Sequence, residues 1–325
     1  MDAVIYLSGY AIVFYFVLSI VYRLFRGLWN LKLGSLLGFS EKFKPKDNSW
    51  AVITGATDGI GLAYAHEFCK RGYNLLLISR NPSKLNDVKQ EIDSKSNKKG
   101  KEIKVYAADF SKSDIYPGIE KEVTRLPRVD VLVNNVGMSY PNPEYFASPH
   151  LSEINEQIIN VNSVSCAKMC SIVLPMMEQQ KHGVILNVSS FSALDPCPLL
   201  ALYAASKAFV DVFSRSIGYE YAKKGITVQS VLPGFVATKM SKIRKAYWMA
   251  PTPENYVKSQ LKTVGLDDQT TGYWSHELQY YFTQHVFPII YGRSLTSNIA
   301  FNQMKLLRHK ALKKQQQQAA DAARS

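Results

Sequence analysis

The chain has 325 residues, of which 46% are hydrophobic, 20% charged and 12% aromatic, and it carries a net charge of +13. That balance excludes disorder and collagen-like repeats and allows a full buried core. Four cysteines with no C-x-x-C spacing exclude a disulfide scaffold and a structural zinc site; Cys166 and Cys170, four apart in a helical pattern, read as buried thiols.

The charge is concentrated at the ends. Residues 1–50 hold six Lys/Arg against three Asp/Glu and residues 301–325 hold six against one, so the 250 residues between carry only +5. Basic flanks beside an apolar terminus point to an anionic membrane surface. Nucleic acid is not expected, because no zinc-finger or RNP-type pattern accompanies the charge.

Ala3–Tyr22 is a run of twenty uncharged residues, enough at about 1.5 Å per residue to cross a ~30 Å hydrocarbon layer. No Lys or Arg precedes it; Arg23, Arg26 and Lys32 follow it. This order predicts a retained N-terminal anchor (residues 1–25) rather than a cleaved signal peptide, with the body on the cytosolic side. A basic linker (26–47) follows.

Apolar, β-rich runs then alternate with helical patterns. The expected strands are Trp50–Thr54, Tyr73–Ser79, Ile103–Ala107, Val129–Asn134, Val184–Val188 and Ile226–Val231. Most are continuously apolar, as strands covered on both faces are. Helices are expected at Leu62–Lys70, Pro82–Asp93, Ile154–Glu178 and Tyr203–Lys223, with Lys95–Lys104 as a solvated connector. The predicted fold class is α/β, a doubly wound parallel sheet of Rossmann type over residues 48–275, with an N-terminal transmembrane helix and a C-terminal helical extension.

The first strand runs into Thr54-Gly55-Ala56-Thr57-Asp58-Gly59-Ile60-Gly61 and then a helix. Glycines there let the turn tighten and the backbone approach a pyrophosphate at the helix N-terminus. Gly55, Thr57, Gly59, Ile60 and Gly61 are therefore expected to bind a dinucleotide, and without a Gly-Lys-Ser/Thr the turn is not a P-loop. The second strand ends in Ser79-Arg80, where an NAD site usually carries an acid; a guanidinium there favours NADP(H).

Tyr203 and Lys207 lie four apart, on one face of the expected helix, where the cation lowers the phenol's pKa. Spacing alone is weak: chance gives roughly 1.6 such pairs, and Tyr219/Lys223 is a second one. Tyr203 follows Ser190 by thirteen residues, and Ser190 follows an apolar strand. Tyr219/Lys223 has no such partner and sits near a helix end, so it reads as structural.

TGATDGIG, NNVG (Asn134–Gly137), Asn162, Ser190, YAASK (Tyr203–Lys207) and PGFVAT (Pro233–Thr238) resemble, in order, the motifs of the short-chain dehydrogenase/reductase superfamily. The anchor, the NNVG variant and the long C-terminal extension are similar to one branch, that of the very-long-chain 3-oxoacyl-CoA reductases and the 17β-hydroxysteroid dehydrogenases of types 3 and 12. The resemblance implies that Tyr203 protonates the substrate carbonyl oxygen as NADPH delivers hydride. It implies that Lys207 lowers the Tyr203 pKa and binds the nicotinamide ribose, that Ser190 holds the carbonyl oxygen, and that Asn162 anchors a proton-relaying water. Asp109 is implied at the adenine, Asn135 along the cofactor, and Val236 and Thr238 at the nicotinamide end.

The same resemblance implies a fatty-acid-elongation reductase of the endoplasmic reticulum membrane, facing the cytosol, with elongation enzymes as partners and pairing of two copies through the helices at Ile154–Glu178 and Tyr203–Lys223. A 17-ketosteroid or sterol reductase and an inactive NADP-binding scaffold stay open beside it. A flexible Lys239–Leu266 segment is expected to cover the substrate cavity, its basic residues near CoA phosphates. Leu278–Gly292, within a C-terminal extension (276–312), reads equally as an interfacial patch or a cavity helix. The polar tail (313–325) is expected to be disordered. Its Lys313-Lys314 is similar to a di-lysine retrieval signal, except that eleven residues follow the pair. The Asn187 sequon falls in a buried strand and reads as accidental, and the six histidines show no metal spacing.

Overall fold

The computed structural model describes residues 2–29, 33–40, 43–95 and 101–322. Lys32 and the middle of the Lys95–Lys104 connector lie outside the described residues. The strands are β1 (Trp50–Thr54), β2 (Asn74–Ser79), β3 (Ile103–Ala107), β4 (Val129–Asn134), β5 (Gly183–Val188), β6 (Ile226–Val231) and β7 (Gln269–Thr270). They pair in parallel throughout, in the order β3-β2-β1-β4-β5-β6-β7. The two-residue β7 has no sequence signature of its own and was not expected. The order reverses between β1 and β4, which opens a crevice at their carboxyl ends.

The helices are α1 (Asp2–Leu28), α2 (Gly59–Arg71), α3 (Pro82–Lys95), α4 (Tyr116–Thr124), α5 (Ser152–Ile159), α6 (Ser165–Gln180), α7 (Ala201–Tyr221), α8 (Pro253–Gln260), α9 (Trp274–Tyr281) and α10 (Phe287–Ala322). Alternation along the strands builds two cores. Ala51, Ile53, Leu75 and Leu77 face α2, α3 and α8, while Trp50, Val52, Leu76 and Ile78 face α4, α6 and α7. Covering both faces explains the unbroken apolar strand runs. α5 and α6 are joined by a π-turn, Asn160–Val164, an insertion that shifts the helix face and often marks a functional site.

Two expectations are corrected here. The segment Lys239–Leu266 is not a flexible lid throughout: its second half forms α8, whose Tyr256, Val257 and Gln260 are buried along with Leu261 and Val264. Thr252 caps α8, accepting from the Asn255 N–H, with Pro253 at the first helical position. The polar tail is not irregular; α10 continues to Ala322, after a break at Gly292, whose φ of 72° no helix accommodates. Leu278–Gly292 keeps both readings: Leu278, Phe282, Phe287, Ile289 and Ile290 remain exposed, while Leu278, Tyr280, Tyr281 and His285 line a cavity.

Residues Tyr6–Leu28 of α1 form a helix long and apolar enough to cross a membrane, with no buried residue among those described. The second stretch of that length, Pro149–Gln180, is largely buried and is a core element.

α8 is held by a buried polar chain. Tyr64 Oη donates to Gln260 Oε1 at 2.7 Å, Gln260 Nε2 donates to Gln229 Oε1 at 2.8 Å, and Gln229 Nε2 donates to Thr263 O and Asp267 O. All three side chains are fully buried, so their bonds cannot be exchanged for water. Gln260→Leu leaves the Tyr64 hydroxyl without its acceptor and Gln229 Oε1 without its donor and is expected to cost at least about 2 kcal/mol. Chemical denaturation of the full-length protein in detergent checks this; an unchanged midpoint contradicts it.

Candidate active site

The glycine turn after β1 is shaped by space. Gly55 and Gly59 have φ of 64° and 54°, the left-handed region that favours glycine. A Cβ on Gly61 would strike Gly55 O and Asn135 Nδ2, so this glycine is required by close helix–strand packing. Asn135 Nδ2 donates to Thr54 O (3.1 Å) and Gly55 O (3.2 Å), lacing β4 to the turn across the crevice. Thr57 and Ser79 share a hydroxyl hydrogen bond of 2.9 Å, bringing the turn to the end of β2, where Arg80 is exposed. Ile60 is partly buried against the core beneath. Thr238 reaches the turn from the far side, its Cγ2 3.1 Å from where a Gly59 Cβ would stand. Asp109, two residues beyond β3, accepts from the Ser111 N–H (3.1 Å) and hydroxyl (2.9 Å). These residues fit a dinucleotide: the glycines open the backbone of the turn at the N-terminus of α2, and polar groups flank it at the ends of β2 and β3.

At the end of β5, Ser190 Oγ accepts from the Ser192 N–H (3.1 Å) and hydrogen-bonds the Ser192 hydroxyl (3.0 Å). The first turns of α7 bring Tyr203 beside it. Burial pushes the Tyr203 phenol above its ordinary value, and the hydrogen bond with Ser190 pulls it back. Lys207, one turn on, is buried and donates from Nζ to Val188 O at 2.9 Å. Burial pushes its ammonium down to about 8. The Lys207 ammonium is engaged by this backbone carbonyl, and the hydrogen bond from Ser190 is what lowers the phenol.

Asn162 sits in the π-turn. Its Oδ1 accepts from the Met138 N–H (2.7 Å), and its Nδ2 donates to Met138 O (2.9 Å) and Ser206 Oγ (2.8 Å). A Cβ on Gly137 would stand 3.2 Å from Lys207 Nζ and 3.6 Å from Asn162 Oδ1. Ammonium and amide thus face one small space that the glycine of NNVG keeps open.

The sequence pointed to no histidine here, yet His276 on α9 holds the Pro233–Thr238 loop. Its Nδ1 accepts from the Gly234 N–H (3.2 Å) and its Nε2 donates to Phe235 O (3.0 Å). Burial pushes His276 below its ordinary value, consistent with this neutral form. Ser189 was also missed; its hydroxyl donates to Lys207 O at 2.6 Å and fixes α7 on β5. Neither residue belongs to a spacing pattern that marks it. Val236, on the loop His276 holds, is buried and accepts through its carbonyl from the Ser241 hydroxyl at 2.6 Å. Among the described residues no His/Cys/Asp/Glu cluster could hold a metal ion.

A profile of the short chain dehydrogenase family matches residues 49–247. The chain is 49% identical over 275 residues to the very-long-chain 3-oxoacyl-CoA reductase-A of Danio rerio, covering 84% of this chain and 83% of that one. It is 45% identical over 311 residues to the very-long-chain 3-oxoacyl-CoA reductase of Macaca fascicularis, covering 95% and 96%. Among solved structures, a short-chain dehydrogenase from Sphingobium yanoikuyae in complex with NADPH superposes with a TM-score of 0.59 at 26% identity, covering 65% of this chain and 81% of that one.

Gly61→Ala is expected to weaken nucleotide binding at least about tenfold, because its methyl group meets backbone that cannot yield. Titration with NADPH by fluorescence reads this directly; wild-type affinity contradicts the role given to Gly61.

Proposed function

The chain belongs to the short-chain dehydrogenase family and is an oxidoreductase interconverting C=O and CH–OH with a nicotinamide cofactor; on that premise we propose that it reduces very-long-chain 3-oxoacyl-CoA to 3-hydroxyacyl-CoA, using NADPH, at the endoplasmic reticulum membrane. The observation that carries the substrate reading is coverage. Relatives named for this activity align over 95% of the chain, which takes in the apolar helix and the C-terminal extension as well as the catalytic core.

The glycine turn and Thr238 would hold the cofactor's pyrophosphate and nicotinamide ends, Asp109 its adenine, and Arg80 a 2′-phosphate, which selects NADPH over NADH. When bound, the cofactor supplies hydride to the carbonyl carbon. Ser190 hydrogen-bonds the carbonyl oxygen and stabilises charge as it develops there. Tyr203 Oη gives that oxygen a proton; its raised pKa keeps it protonated at neutral pH. Lys207, with a pKa near neutrality, restores the proton through the space it shares with Asn162.

Exposed apolar residues on α1 and at Leu278, Phe282, Ile289 and Ile290 support a membrane-seated enzyme whose substrate arrives from the bilayer. Exposed Phe209, Val212 and Tyr219 on α7 support pairing with a second copy.

Full-length protein in microsomes is expected to oxidise NADPH faster than NADH with 3-oxostearoyl-CoA, and Tyr203→Phe to lower that rate by about a thousandfold. Turnover of a 17-ketosteroid alone would replace the substrate reading and leave the site intact. Equal inertness of wild type and variant would remove both.

The pH dependence has a definite sign. Proton delivery needs Lys207 charged, and its pKa stands at about 8. The kcat/KM for reduction, which reports the free enzyme, is expected to be level at neutrality and to fall as pH rises through that value. A profile that stays level well above it contradicts the relay.

A further inference from the structure

A cavity of about 610 Å³ lies between α1, the β7 edge and α9. We propose that it holds the hydrocarbon tail of the acyl substrate, so that the membrane helix forms one wall of the enzyme's binding site. This rests on the acyl-CoA reading above and extends it to the tail's location.

Position is the first argument. Tyr280 lines the cavity, and its ring meets Phe191 edge-on at 6.5 Å between centroids. Phe191 directly follows Ser190, and its N–H donates to Pro233 O at 2.9 Å, while Leu232, the preceding residue, lines the cavity. The Phe191–Tyr280 pair thus links the cavity wall to the residue next to Ser190.

Its walls are the second. Ser19, Tyr22 and Gly27 of α1 line it, and from Ser19 to Arg26 the helix rises roughly 10 Å. Ser19 and Gly27 are partly covered, whereas Val17, Leu18, Ile20 and Val21 around Ser19 are exposed. Ser19 and Gly27 leave width there beside the larger Tyr22, Arg26 and Leu28. At the cytosolic end Arg26 pairs with Asp267 at 2.6 Å, and the Thr271 hydroxyl donates to Glu277 Oε2 at 2.7 Å. The Arg26–Asp267 charges neutralise each other, and Glu277 takes one hydrogen bond from Thr271, so the polar groups of the lining gather at this end.

Size and energetics agree. The volume lies within the range of small-molecule sites. Each methylene moved into water costs about 0.8 kcal/mol, so a long chain is held most cheaply on a path that never leaves apolar surroundings. A cavity walled by the apolar helix, one ring pair from Ser190, offers such surroundings close to the reacting carbonyl. A bilayer lipid has the same chemistry, and the experiment separates the two sources.

The test uses full-length protein in lipid nanodiscs with stearoyl-CoA carrying a diazirine at its chain terminus. Photolysis is expected to label the segments 19–28 and 274–285, with unlabelled stearoyl-CoA competing the label away. Ser19→Trp and Gly27→Leu, which narrow the cavity, are expected to raise KM for 3-oxostearoyl-CoA about tenfold while leaving acetoacetyl-CoA turnover unchanged. Val17→Trp, on the exposed face of α1, is expected to change neither. Labelling of these segments by a diazirine phosphatidylcholine that stearoyl-CoA does not displace would overturn the proposal in favour of a resident lipid. So would equal effects of the narrowing variants on both chain lengths, or no effect on either. If the wild type reduces neither acyl-CoA, the substrate reading fails by itself, and the competed label still decides what the cavity holds.

Discussion

The close approach of β1 and β4 at the point where the sheet order reverses governs the geometry of the whole site. Thr54 Oγ1 accepts from the N–H groups of both Asn135 and Val136, at 3.0 and 3.1 Å, while the Asn135 amide returns two hydrogen bonds to the glycine turn. Two strand ends are thereby fastened crosswise by a buried hydroxyl and one amide. Only because they are fastened can α2 start so near the sheet that Gly61 has no room for a methyl group. The same fastening sets where NNVG leaves β4, and hence where Gly137 keeps space between Lys207 and Asn162.

The catalytic side is positioned by a second polar layer inside the sheet–helix interface. Asn134 Nδ2 donates to Asn187 Oδ1 at 2.9 Å, and Asn187 Nδ2 donates to Ser214 Oγ at 2.9 Å, so β4, β5 and α7 are keyed together. Asp211 on α7 accepts from Ser230 of β6 and Gln269 of β7 at 2.7 and 2.9 Å. Buried bonds of this kind favour one register of α7 over a slipped one, because a slip leaves several polar groups unpaired at once. Tyr203 and Lys207 owe their placement to this keying. The loops around them carry specificity on a rigid base.

The strands of the nucleotide fold were legible because their signal is local: unbroken apolar runs, glycines after β1, a turn-spaced Tyr and Lys. What was not legible depends on distance. β7 is two residues whose pairing exists only because β6 presents an edge. His276 serves a loop some forty residues earlier, and nothing in its neighbours marks that task. The π-turn at Asn160–Val164 adds a residue that periodicity over Ile154–Glu178 does not register. The polar tail lacks an apolar stripe, yet its Ala, Lys and Gln content favours helix once α10 has been nucleated upstream. The α8 region misled for a related reason. Its buried Gln260 and Thr263 look like surface residues until their partners are known: Gln229 of β6 for Gln260, and the Gln260 carbonyl for the Thr263 hydroxyl.

The carbonyl of Asp267 is the last acceptor of the Tyr64–Gln260–Gln229 chain, and its carboxylate takes Arg26 of α1. One residue is therefore both the end of an interior strut and the footing of the apolar helix. A change in the tilt of that helix bears on the β6–β7 border and the α9 side of the molecule. The crosswise fastening of β1 and β4 lies several strands away and is mechanically shielded from it. The apolar helix is thus footed at the β7 edge of the sheet, and the glycine turn is fastened at its centre.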